Sequence, residues 1–82
     1  MQVRVLFFGM LKDLTGRESE SLSLTEPATL NDVVRHYEER VPGLKALLPA
    51  IALSINQEYA GLQSQLRPGD EIAMLPPVSG GL

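Results

Sequence analysis

Glu71-Ile72-Ala73-Met74-Leu75-Pro76-Pro77-Val78-Ser79-Gly80-Gly81 changes character halfway along. Its first five residues read as a strand, launched by the turn formers Pro68-Gly69-Asp70. Pro76-Pro77 terminates that strand, because proline offers no N–H to a ladder. A β-branched residue, a serine and two glycines then follow, which together build neither an element nor a core. From Val78 to Gly81 an extended chain reaches roughly 13 Å at about 3.3 Å per residue. The two glycines present no side chain to a narrow channel. The expected organisation is one domain over residues 1–75 and a free C-terminal tail over residues 76–82.

Working back from that strand, Val3-Arg4-Val5-Leu6-Phe7-Phe8 is a second one, ended by Gly9. Val3, Val5 and Phe7 share a core-facing side. Leu6 and Phe8 fall on the opposite side, where a half-solvated sheet normally carries polar residues. Residues 9–18 read as a loose hairpin connection with Leu11 and Leu14 plugging a core edge, and Leu22 and Leu24 alternate with Ser21 and Ser23 on the returning strand. Thr29 is placed to cap a helix, with Asp32 at the capping-box position. Leu30, Val33, Val34 and Tyr37 keep the i, i+3, i+4, i+7 spacing of one buried stripe. Val41-Pro42-Gly43 stops the helix after about three turns. A Leu-rich connector leads to Ile51, Leu53 and Ile55, which alternate with Ala52, Ser54 and Asn56 as a third strand. Asn56-Gln57-Glu58 turns the chain into a short extended piece around Tyr59-Ala60.

The order strand, strand, helix, strand, short strand, strand lets one main helix cover one face of a mixed sheet of about five strands, an α+β two-layer domain. It is the order of the β-grasp, or ubiquitin-like, fold. In that fold the first and last strands are central parallel neighbours, so the C-terminus leaves the sheet as a free tail.

Composition narrows the chemistry. The chain has 82 residues, 44% apolar and 21% charged. A domain of that size buries about 60% of its unfolded surface and has little room for a deep active-site cavity. Zero cysteines exclude disulfides and thiolate metal sites. A formal net charge of −3 lacks the basic excess that nucleic-acid binding requires. With neither a signal-like start nor a run of about 20 apolar residues, no membrane association is expected and a cytoplasmic location is the default. His36 lies off the helix stripe and reads as a surface histidine, since one His with no His or Cys partner makes neither a triad nor a metal site. Asp70-Glu71 reads as a turn former and a solvated strand edge.

Three segments carry a family resemblance over essentially the full length: Val5-Leu6-Phe7-Phe8-Gly9, Ser54-Ile55-Asn56-Gln57, and the closing run from Leu66 to Gly81. In these the chain resembles the small subunit of molybdopterin synthase, the MoaD family of ubiquitin-like sulfur carriers. The resemblance implies that the Gly81 carboxylate is adenylated by an E1-like enzyme, which uses ATP, and becomes a thiocarboxylate that donates sulfur to the pterin precursor of the molybdenum cofactor. The chain itself binds no cofactor or metal, and a side-chain thiol is unavailable to carry the sulfur. On this resemblance Gly80, Ser79, Val78, Pro77 and Pro76 thread into the large subunit, which supplies the pocket, so the chain is a sulfur-donor subunit and not an enzyme on its own. Phe8, Tyr59 and Leu75 match docking positions for the large subunit and the activating enzyme, and a two-plus-two heterotetramer is implied.

Leu82 departs from the family pattern, which ends in a free Gly-Gly carboxylate. While Leu82 is attached, the Gly81 carbonyl is an amide, so a tail-processing peptidase is expected to remove it first. Three alternatives share parts of the pattern: a carrier for another thiolated product such as a thiazole, a ubiquitin-like modifier joined to lysines, and a binding module without tail chemistry.

Overall fold

The structure, a computed structural model, describes residues 1–76. Five strands form one mixed sheet in the order β2-β1-β5-β3-β4. They are β1 Gln2–Phe7, β2 Ser19–Ser23, β3 Ala52–Ile55, β4 Glu58–Tyr59 and β5 Glu71–Leu75. β1 and β2 pair antiparallel, from Gln2 with Ser23 to Leu6 with Ser19. β1 and β5 are parallel central neighbours, from Arg4 with Glu71 to Phe7 with Met74. β3 runs antiparallel to β5, setting Leu53 beside Met74 and Ser54 beside Ala73.

Alternation along these strands sorts the two faces. Val3, Val5, Phe7, Leu22, Ile72 and Met74 are buried on one face, packed under α2, Leu30–Arg40. The helix buries the expected stripe of Leu30, Val33, Val34 and Tyr37. The Asp32 carboxylate accepts the Thr29 N–H at 2.8 Å, the capping-box contact. The first-turn N–H groups of Leu30 and Asn31 donate to the carbonyls of Ser64 and Leu62 at 3.0 and 2.8 Å. The loop before β5 thus satisfies donors that a helix start otherwise leaves orphaned, and it drops Leu66 into the core.

Two connections hold more structure than the sequence pattern suggests. Residues 9–18, expected as a loose link, contain a short helix α1, Met10–Thr15. Leu11 is fully buried as a plug, whereas Leu14 is 37% exposed. The Leu-rich connector forms α3, Leu44–Leu47, and a 3-10 turn, Leu48–Ala50. Among the described residues no helix is long and apolar enough to cross a membrane.

Candidate docking face and tail exit

The face of the sheet opposite α2 has no second layer among the described residues. Register places Leu6 beside Ala73, Ala73 beside Ser54 and Ser54 beside Tyr59, so one row crosses four strands. Phe8 and Leu75 extend the row at the C-terminal ends of β1 and β5. Phe8 is 44% exposed and Tyr59 81% exposed, and Leu75 is half-buried. The three docking residues expected from the resemblance therefore line one shallow groove of about 310 Å³. Ser54 is only 6% exposed, because its small side chain sits at the floor between larger neighbours. Arg4 and Glu71, paired across β1 and β5, mark the polar end of the face. A larger groove of about 580 Å³ lies between α2 and the β3–β4 hairpin, and Tyr59 lines both.

Parallel pairing decides where the tail starts. β1 and β5 finish at the same edge, so the chain leaves β5 at Pro76 immediately beside Phe8. Pro76 is half-buried there, and its ring approaches the Gly9 backbone closely. Of the expected tail residues only Pro76 is placed; Pro77, Val78, Ser79, Gly80, Gly81 and Leu82 lie outside the described residues.

The opposite end of β5 is held by side chains. Asn56 and Gln57 take positive φ values of 51° and 72°, the two-residue hairpin geometry that asparagine tolerates well. The Asn56 amide donates to Asp70 at 2.9 Å and accepts the Glu71 N–H at 2.9 Å. Asp70 also accepts the Arg67 N–H at 2.8 Å. These bonds tie Asn56 to the Pro68-Gly69-Asp70 turn and start β5 in register. The Asp70 carboxylate is spent on the turn, with one oxygen on the Asn56 amide and the other on the Arg67 N–H.

His36 stands on α2, away from the open face. It is half-buried rather than fully on the surface, and burial followed by the nearby Arg40 charge lowers its pKa. Its ring meets Tyr37 edge-on at 4.8 Å. Among the described residues no three His, Cys, Asp or Glu side chains gather as a metal site. Strand parity had already set Leu6 with Phe8 on the face away from the core, whereas sequence reasoning missed Ala73 and Ser54 as members of the open face, although parity with Leu75 and along β3 held the signal.

A mixed β-grasp sheet with one face bare and the C-terminus leaving at its edge defines a ubiquitin-like protein. The ThiS family model matches residues 5–81, and the chain belongs to that family. The molybdopterin synthase sulfur carrier subunit of Homo sapiens is 40% identical over 83 residues, covering 98% of this chain and 94% of the human one. A chain in the complex of subunits 1 and 2 of molybdopterin-converting factor from Helicobacter pylori is 33% identical, with a TM-score of 0.74 and coverage of 99% of this chain and 100% of that one. The small archaeal modifier protein 1 from Methanosarcina acetivorans is 28% identical, with a TM-score of 0.84 over 98% of this chain and 96% of that one.

Proposed function

We propose that this chain is the sulfur carrier subunit of a molybdopterin synthase, acting in molybdenum cofactor biosynthesis through Gly81. The observation that carries the reading is the bare apolar face meeting the tail exit: Phe8, Leu75 and Pro76 come together where β5 ends. A partner that covers this face receives the tail at the border of its own contact surface. Near full-length similarity to the human carrier subunit and to a chain of the Helicobacter complex supports the same assignment and the large synthase subunit as partner.

The chemistry follows from the terminus. A carboxylate resists nucleophilic attack, so the Gly81 carboxylate oxygen first attacks the α-phosphorus of ATP on an E1-like enzyme, and pyrophosphate leaves. A sulfide-equivalent nucleophile then attacks the acyl carbon and AMP departs, leaving a thiocarboxylate. Held in the large subunit's pocket, that sulfur attacks an electrophilic carbon of the pterin precursor at high effective concentration and displaces an oxygen leaving group. Water then cleaves the acyl–sulfur bond, leaving the sulfur on the pterin and returning the Gly81 carboxylate. The chain is the donor and the large subunit the catalyst, in a two-plus-two assembly. The family match ends at Gly81, and Leu82 must be removed by a peptidase before the Gly81 carboxylate exists.

Intact mass spectrometry of the chain from its native host tests this. A species ending at Gly81 with one oxygen replaced by sulfur is the expected result. Likeness to the archaeal modifier favours a second reading, conjugation to lysines. Ladders of conjugates on denaturing blots, with no thiocarboxylate, replace the first reading by the second.

A further inference from the structure

Gly9 faces Pro76 at the place where the sheet ends. The parallel pairing of β1 with β5 closes on Phe7 and Met74, and the same register carried forward sets Phe8 beside Leu75 and Gly9 beside Pro76. The Phe8 N–H still reaches the Met74 carbonyl, at 3.4 Å, but Pro76 has no N–H to donate. The ladder therefore gives way to a packing contact. A Cβ placed on Gly9 would stand 2.9 Å from Pro76 Cγ, closer than two carbon atoms tolerate. Gly9 also has φ 57° and ψ −133°, a conformation that residues with a side chain rarely adopt. Close approach and backbone conformation independently require glycine there. Nor is the seat loose: the Gly9 carbonyl accepts the Lys12 N–H at 3.0 Å and the Phe8 carbonyl accepts the Leu11 N–H at 3.1 Å. Both bonds tie it to α1, whose Leu11 is fully buried in the core.

We propose that Gly9 is a positioning residue for the tail, a flat seat that holds the Pro76 ring so that the chain leaves β5 in one direction beside the Phe8–Leu75 face. This inference rests on the sulfur-carrier reading. Gly81 lies five residues beyond Pro76. For five residues at full extension, about 3.3 Å each, an error of about 10° at the pivot would move the far end by roughly 3 Å. Displacements of about 1 Å already cost up to about 100-fold in rate where a reacting group must be aligned. A fixed exit lets docking of the face and entry of the tail occur as one event.

The test uses the complex with the large subunit and chains charged as thiocarboxylates, comparing wild type with Pro76→Ala, Gly9→Ala and the double variant. Pro76→Ala removes the ring and leaves Gly9 untouched. The expected result is a single-turnover sulfur transfer about tenfold slower in each single variant. Rates are read at saturating large subunit, which separates the transfer step from any change in Kd, and the double variant is no slower than the slower single one. Transfer by Pro76→Ala at the wild-type rate, or a loss confined to Kd, overturns the proposal. Pro76→Ala decides alone should Gly9→Ala fail to fold. Backbone relaxation at the Leu75 amide gives a readout free of sulfur chemistry: it must loosen in Pro76→Ala for the seat to stand. A wild-type chain that never acquires sulfur brings down the carrier reading, whereas an unchanged Leu75 amide brings down the seat.

Discussion

Tyr37 joins the helix to the edge strand. Its hydroxyl donates to the Glu20 carboxylate at 2.8 Å, Glu20 also pairs with Arg17 at 2.7 Å, and its ring meets Phe7 edge-on at 5.1 Å. Burial, and then the hydrogen bond to Glu20, push the phenol pKa above its ordinary value of 10.0. The folded state thus favours the neutral phenol. The stability this contributes is fully present below the unfolded value of about 10 and is lost as pH rises through the higher folded one. Tyr37→Phe should cost about 1 kcal/mol near neutral pH. The variant should also lose less of its stability than the wild type between about pH 7 and pH 11, as read by denaturant unfolding at both values. Spacing along the helix identified Tyr37 as a stripe residue. Glu20 is 17 positions away in the chain, and nothing local marks it as the partner. Asn56 is similar: its turn role is legible, but its bonds to Asp70 and Glu71 exist only once β3 and β5 are side by side.

Elements divide in the same way. The helix α2 was readable from its stripe, its Asp32 capping contact and its Val41-Pro42-Gly43 stop, because all three are set within a few residues. The short helix α1 was not. Its six residues offer one buried position, and a helix that short is held by Leu11 in the core instead of by its own propensity. The sheet yields the clearest contrast between stability and docking. Leu30→Ala, at a position with 0% exposure, should cost about 2–5 kcal/mol. Phe8→Ala, at 44% exposure, should change stability by less than about 0.5 kcal/mol. It should nevertheless weaken the large-subunit complex by at least about tenfold, the loss typical of an anchoring aromatic. Calorimetric titration alongside thermal melts separates the two effects. A Phe8→Ala chain that melts early but binds normally would return Phe8 to the core.

At the scale of the molecule, the described residues close a core under α2 before the tail begins. Every buried apolar residue among those described lies at or before Met74. Deleting Gly80-Gly81-Leu82 should therefore leave the melting temperature unchanged while abolishing sulfur transfer. Thermal melts and a single-turnover assay check this, and a deletion that keeps full function would mark the chain as a binding module. The run from Pro76 to Gly81 could be recognised from its residues because two successive prolines withhold the N–H groups a ladder needs and two glycines bring no side chain to a core, whatever surrounds them. Strand parity, the helix stripe and the turns were legible for the same reason: each depends on neighbours a few positions apart. Which strands lie side by side is a different matter, since ladder bonds are chemically alike and do not name their partners. Burial of one continuous core under α2 selects the β2-β1-β5-β3-β4 order. Only that order gathers Phe8, Tyr59 and Leu75 from three distant segments onto one face and brings Pro76 onto Gly9.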